Sequence, residues 1–128
     1  MSYKIEEIKK GIKVHFIQTN KFKTNLFAIF LSTPLNRETI TQNALIPAVL
    51  RMGTANLKSQ EEISIELENM YGAVFDASTD KIGDKQALQF YISTIDDEYA
   101  LNNEKLLLES IDFMHELIFN PKLVDGKL

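Results

Sequence analysis

Four stretches with the pattern of β-strands occur as two closely spaced pairs, and this arrangement limits the possible folds more than any other feature. The first pair is GIKVHFIQT and NLFAIFLS, and the second is AVFDASTD and QALQFYIST. In the first stretch Ile12, Val14 and Phe16 alternate with Lys13 and His15, which is typical of a half-buried strand. NLFAIFLS is apolar on both faces, as a central strand is. Because short connections join antiparallel strands, we predict two β-hairpins.

Two helices are predicted between the strand pairs. The first runs from about Glu38 to Met52, with Gly53 as a left-handed cap. Its apolar positions recur at helical spacing and predict a buried stripe of Ile40, Ala44, Leu45, Ala48, Val49 and Met52. The second, SQEEISIELENMYG, starts with the capping box of Ser59 and Glu62 and ends at Gly72. Its predicted buried stripe is Ile63, Leu67, Met70 and Tyr71.

A third helix is predicted in NNEKLLLESIDFMHELIFNP, ending before Pro121 because proline disfavours helical geometry in the preceding residue. Its predicted inward positions are Leu107, Ile111, Met114 and Ile118. The order β-β-α-α-β-β-α predicts an α+β fold, an antiparallel sheet with helices packed on one face. The 128 residues suit a single domain. The tail KLVDGKL has no capping element, which predicts that residues 1–128 are an N-terminal portion truncated at the C-terminus.

Composition excludes several classes of function. The net charge is −4, which argues against nucleic-acid binding, and Phe22 between two lysines is the single aromatic in a basic context. No apolar run approaches the roughly 20 residues of a membrane span, so no membrane contact is expected. The absence of cysteine excludes thiolate metal sites and fits a reducing compartment. The first residues also lack the apolar core of a signal peptide. We therefore expect a cytoplasmic protein.

No catalytic constellation emerges from the residues alone. His15 and His115 are the only histidines, and two distant histidines do not specify a zinc site. We interpret the neighbouring carboxylates as helix-start or solvent groups. They are the pairs Glu61–Glu62, Glu66–Glu68 and Asp96–Asp97. Asp76 is unusual because it interrupts a strand pattern, where it could cap an edge or pair with a lysine. The scattered glycines form no phosphate loop.

The order of motifs resembles the first domain of the insulinase (pitrilysin) family of zinc peptidases, and in particular a bacterial branch with degenerate zinc sites. The resemblance spans the whole chain and rests on GIKVHFIQTNKFKT, NALIPAVLRMGT, SQEEISIELENMYGA and NPKLVDGKL. The family signature is H-x-x-E-H on the first helix, just before a Gly-Thr pair. Its histidines at i and i+4 share one helix face and bind zinc, and its glutamate activates the bound water.

Aligning Gly53-Thr54 with that pair places Ala44 and Ala48 at the histidine positions and Pro47 at the glutamate position. None of the three can bind zinc or accept a proton. No other register restores the motif, because neither histidine nor glutamate occurs between Thr39 and Gln60. Pro47 also removes a helical N–H, so a kink or an irregular start near Asn43 is expected. The family's remaining zinc ligand, a glutamate, lies beyond the stretch that resembles NPKLVDGKL, so no catalytic, metal or cofactor residue is assigned.

The resemblance implies a catalytically inactive homologue that acts as partner or peptide-binding half of a peptidase assembly. Its expected partners are a peptide or protein substrate, a homologous peptidase subunit, or both. One alternative is an active peptidase whose zinc site lies outside these residues. Another is a plain protein-interaction domain. If the chain is a truncated domain, its sheet should lack strands, and the resulting open edge predicts self-association.

Overall fold

The computed structural model describes all 128 residues, Met1–Leu128, in an α+β arrangement. The order of the main elements is β-β-β-α-α-β-β-α, which has one more strand than predicted. The strands are β1 (Ser2–Lys9), β2 (Ile12–Gln18), β3 (Thr24–Pro34), β4 (Val74–Ile82) and β5 (Lys85–Ile95), and the helices are α1 (Ile40–Leu50), α2 (Gln60–Asn69) and α3 (Leu106–Phe119). Two single-turn 3₁₀ helices, Asp97–Tyr99 and Leu101–Asn103, precede α3. No helix combines the length and apolarity needed to cross a membrane.

The first predicted hairpin is wrong. β2 pairs with the additional strand β1, in a register that sets Tyr3 opposite Ile17 and Glu6 opposite Val14. The two strands form a separate sheet, and β3 does not join it. The turn at Gly11, whose φ is +83°, is much tighter than the connection from Gln18 to Thr24. The short turn lowers the entropy cost of pairing β1 with β2, while β3 pairs with β5 in the other sheet.

The second predicted hairpin is confirmed. β4 and β5 are antiparallel and are joined at Gly83 and Asp84, with Ile82 opposite Lys85. β5 also pairs antiparallel with β3 over eleven positions, which gives a three-stranded sheet in the order β3-β5-β4. NLFAIFLS is consequently part of an edge strand and not of a central one. Its two sheet faces are apolar, but one of its backbone edges has no partner strand.

The core lies between one face of the three-stranded sheet and the helices. Phe90 and Ile92 of β5 are completely buried, and Leu88 beside them is 7% exposed, as their alternation predicted. α3 covers this face, but its buried side differs from the prediction. Met114 is buried as expected, whereas Leu107, Ile111 and Ile118 are only partly buried. The other buried residues of α3 are Leu106, Ser110, Phe113 and Leu117. The helix is apolar on more than one face, so the sequence pattern left its rotation open.

Helix α2 begins as predicted. The Ser59 side chain accepts a hydrogen bond from the Glu62 backbone N–H at 3.1 Å. The Glu62 carboxylate reaches back to the Lys58 N–H instead of the Ser59 N–H of an ideal capping box. Ile63 and Met70 are buried, but Tyr71 is 37% exposed. Tyr71 and Gly72 both have positive φ, which ends the helix where the glycine predicted.

Candidate functional site at helix α1

Helix α1 carries Ala44, Pro47 and Ala48, the three positions that the sequence resemblance aligns with a zinc motif. It is fixed to the three-stranded sheet by polar contacts as well as by packing. The Thr79 hydroxyl donates to the Ala44 carbonyl at 3.2 Å, and the Gln86 amide donates to the Ile40 carbonyl at 2.9 Å. Near the other end of the helix, Arg51 contacts Asp76 at 3.2 Å. The unusual strand carboxylate thus pairs with an arginine and not with a lysine.

The face of α1 that packs inward is different from the predicted stripe. Pro47 and Leu50 are buried, and Ile46 is partly buried beside them. Of the predicted inward positions, Val49 is partly buried, and the other five are exposed instead: Ile40, Ala44, Leu45, Ala48 and Met52. Leu45 and Met52 are each 55% accessible. Because α1 is apolar on almost all sides, its composition did not reveal which side meets the sheet. The two alanines at the histidine positions lie on the outer face.

Pro47 is accommodated inside the helix. The helix is continuous from Ile40 to Leu50, and the Asn43 N–H donates to the Thr39 carbonyl at 2.8 Å. The irregular start expected near Asn43 is therefore not present. Proline lacks an N–H, so it cannot donate to the Asn43 carbonyl one turn earlier. Its ring is fully buried against the core, and this burial offsets part of the lost helical hydrogen bond.

Gly53 does not cap α1 in the left-handed conformation as predicted. Arg51 caps α1 in the right-handed conformation, and Gly53 has φ +158°, far from the left-handed helical region. Glycine is required here for a different reason. A Cβ atom on Gly53 would lie 3.1 Å from the backbone of Leu57 and of Lys58. The position therefore favours glycine, because the Gly53–Lys58 loop folds back closely on its own start.

The residues of α1 do not fit a zinc ion. Ala44, Pro47 and Ala48 offer no nitrogen, sulfur or carboxylate oxygen as a ligand. No group of three histidine or acidic side chains converges elsewhere in a way that could hold a metal. His15 accepts or donates a 2.7 Å hydrogen bond with the Tyr3 hydroxyl in the β1–β2 sheet. His115 is exposed on α3 beside the Phe119 ring.

The Gly53-Thr54 pair is part of a polar junction with the end of α3. Thr54 is completely buried, and its hydroxyl donates to the Glu116 carboxylate at 2.9 Å. The same carboxylate accepts from the Asn56 side chain at 2.9 Å and from the Asn56 N–H at 3.3 Å. Asn120 donates to both carboxylate oxygens, at 3.1 and 3.0 Å. One glutamate therefore connects the segment after α1 to the C-terminal end of α3.

These hydrogen bonds also set the acidity of Glu116. The bond from Asn120 has the largest effect and lowers the pKa of Glu116 below its ordinary 4.5. Partial burial opposes this, while bonds from Thr54 and Asn56 lower the pKa further. This role of Glu116 was not predicted from the sequence. A signal was present, because a carboxylate in the last turn of a helix opposes the helix dipole and needs a compensating partner.

The paired carboxylates have structural roles where the structure gives them partners. Glu62 caps the start of α2, and Asp96 accepts from the Glu98 N–H at the start of the first 3₁₀ helix. Asp97 accepts a 3.1 Å hydrogen bond from the Leu107 N–H in the first turn of α3. These contacts confirm the helix-start interpretation for three of the acidic residues.

The structure is thus an α+β chain in which side-chain contacts fix helix α1 to the three-stranded sheet. Helix α1 itself carries no metal-binding side chain. No protein-family model matches the sequence. Over 126 residues the chain is 29% identical to a protein of Bacillus subtilis (strain 168) named "Probable inactive metalloprotease YmfF". This match covers 96% of the chain and 29% of the Bacillus protein. The chain is thus similar, over almost all its length, to a metalloprotease-like protein that is itself named inactive.

A solved structure is also similar in fold. It is the crystal structure of a conserved protein from Enterococcus faecalis V583, with a TM-score of 0.91 and 31% identity. The similarity covers 97% of this chain and 29% of that one. The chain therefore spans less than a third of the length of either protein.

Proposed function

We propose that the chain is a catalytically inactive homologue of the insulinase-type zinc peptidases, and that it acts as partner or peptide-binding half of a peptidase assembly. Two observations support this proposal. The chain is similar to a protein named a probable inactive metalloprotease, and its helix α1 presents alanine at both positions where the resembled family has zinc-binding histidines.

The observation that carries the proposal is the geometry of α1. Ala44 and Ala48 are four residues apart and exposed, so side chains placed there would share one face of the helix. That spacing is suited to gripping one metal ion, yet both side chains are methyl groups. Leu45 and Met52 are also exposed on α1, and apolar surface of this kind suits contact with a peptide or protein.

The geometry can be tested by building a metal site on α1. The double variant A44H/A48H should bind Zn²⁺ or Ni²⁺ measurably in calorimetry, because its imidazoles lie one turn apart. The matched control A44H/L45H also adds two exposed histidines, but adjacent helical positions point in different directions. The control should bind far more weakly. Equal binding by both variants, or by neither, would contradict the helical geometry and exposure of Ala44 and Ala48 on which the proposal rests.

Catalysis and partnership need separate measurements on the natural chain. Metal analysis should find no stoichiometric zinc, and a mixture of quenched fluorogenic peptides should not be cleaved. Turnover abolished by a chelator would favour an active peptidase instead. Co-purification with a peptidase subunit, or saturable binding of an uncleaved extended peptide, is the expected positive result. Neither partner nor peptide binding would favour the plain interaction domain.

A further inference from the structure

The chain exposes much more surface than a compact protein of its mass. Its accessible area is 9470 Å², and only 18 of its 128 residues are buried. A folded monomer of 14.6 kDa has an accessible area of about 6,900 Å². The excess of about 2,600 Å² is larger than the roughly 800 Å² that each partner buries in a stable interface of standard size. The sheet and helices of residues 1–128 therefore leave a large area uncovered.

The free edge of β3 is the part of this surface best suited to pairing. β3 is eleven residues long, and its outer backbone edge has no partner strand. It contains no charged residue, and its one proline is the last residue, Pro34. Natural edge strands are normally protected by charges, internal proline, bulges or short length. β3 has none of these protections, and Leu26 and Phe30 on its uncovered face are 66% and 65% exposed.

The other strand edges are protected. β4, at the opposite edge of the same sheet, carries Asp76, Asp80 and Lys81, and α1 packs beside it through the Thr79 contact. The β1–β2 sheet has charged residues on both strands, and the register of β1 is interrupted between Glu7 and Lys9. β3 is thus the one strand whose free backbone edge has none of these protections.

We infer that β3 is the docking strand for a second copy of this chain. Two β3 strands pair antiparallel about a two-fold axis and join the two three-stranded sheets into one of six strands. An uncharged strand meets its own copy without like-charge repulsion, whereas the mixed charges of β4 would have to be aligned with a complementary register. Exposed apolar side chains of β3 gain cross-strand neighbours in this arrangement.

Sedimentation velocity of the 128-residue chain, from low to high micromolar concentration, tests the inference. The chain should form a dimer, and F30K should raise the dissociation constant by about tenfold or more, because it removes an aromatic contact and places like charges near the axis. V74K is the matched control. Val74 is 59% exposed on the same sheet face, but it lies on β4. Circular dichroism should show that both variants stay folded.

Each outcome decides the inference. Dimers in the natural chain and in V74K, with monomers in F30K, support it. A natural chain that remains monomeric overturns it, and so does equal disruption by both variants, which would place the contact on the sheet face. If F30K fails to fold, hydrogen exchange of the natural chain serves instead. β3 amides should gain protection as concentration rises, while β4 amides should not, and protection independent of concentration would refute pairing through β3.

Discussion

Replacing Glu116 by glutamine is expected to loosen the junction between the Gly53–Lys58 segment and the end of α3. The glutamate accepts hydrogen bonds from the Thr54 hydroxyl, the Asn56 N–H, and the side chains of Asn56 and Asn120. Glutamine can keep its carbonyl oxygen at the Oε1 position, which accepts the bonds from Thr54 and Asn56, and its NH₂ group then replaces Oε2, which accepts only from Asn120. The replacement therefore removes the negative charge from these bonds and loses one acceptor.

The size of the effect follows from the number and type of these bonds. Bonds to a charged group contribute about 1.5–3 kcal/mol each, against about 0.5–1.5 kcal/mol for neutral pairs. Glu116 is only half-buried and its bonds are not independent, so the summed advantage is reduced. Removing a carboxylate from a helix C-terminus also returns about 0.3–1 kcal/mol. We expect a net loss of about 1.5 kcal/mol, or about 5 °C in the melting temperature.

The pH dependence distinguishes the lost charge from a general packing defect. Because the folded-state pKa of Glu116 is lowered from 4.5, its stabilising effect is fully present above pH 4.5 and is lost as the pH falls through the folded-state value. Thermal melts followed by circular dichroism should show the full difference between E116Q and the natural chain at neutral pH. The difference should shrink in acid below pH 4.5.

Glu109 on the same helix provides the control. Burial, followed by the nearby charges of Glu104 and Glu66, raises the pKa of Glu109 above its ordinary value. Its charged form is therefore disfavoured in the folded state, and E109Q should leave stability at neutral pH unchanged or raise it. A melting temperature of E116Q equal to that of the natural chain, or a deficit that stays constant into acid, would refute the account of the junction.

Two further substitutions test local features of the backbone, both by urea unfolding. Gly53→Ala places a Cβ 3.1 Å from the backbone of Leu57 and Lys58 and should cost about 1–3 kcal/mol; a neutral effect would mean that the Gly53–Lys58 loop widens easily. Ser59→Ala removes the acceptor of the Glu62 N–H at the start of α2 and should cost about 1 kcal/mol, whereas Ser59→Asp should retain most of the stability.

The features that the sequence predicted correctly are those fixed by neighbouring residues. The β4–β5 hairpin follows from two alternating runs around Gly83, and the start of α2 follows from Ser59 and Glu62. The end of α3 before Pro121 is equally local. In each case a short stretch contains both the pattern and its stop signal, so no knowledge of the rest of the chain is needed.

The features that were missed depend on contacts distant in sequence. Whether β2 pairs with β1 or with β3 depends on competing partners, and the alternation of Tyr3 and Ile5 with Lys4 and Glu6 was the overlooked sign of β1. The side of α1 that faces the sheet is set by β4 and β5, not by its own apolar residues. The contact of Thr54 with Glu116 spans 62 positions and could not be seen from either segment alone.

The three motif positions of α1 also differ in how freely they can change. Ala44 and Ala48 are exposed, and the hydrogen bond at Ala44 uses only its backbone carbonyl, so histidines can be placed there at little cost. Pro47 is fully buried, and a glutamate at this position would carry a carboxylate into the core. Burying a charge without a partner is strongly unfavourable.

We therefore predict that P47E lowers the free energy of unfolding by more than about 2 kcal/mol, even though glutamate suits a helix about 3 kcal/mol better than proline does. Ala48→Glu, one position further on the exposed face, should be nearly neutral in the same urea titration. Equal stability of P47E and A48E would show that α1 rotates to expose residue 47. Without such rotation, the buried position of Pro47 makes a carboxylate here costly, because the core would have to repack around it.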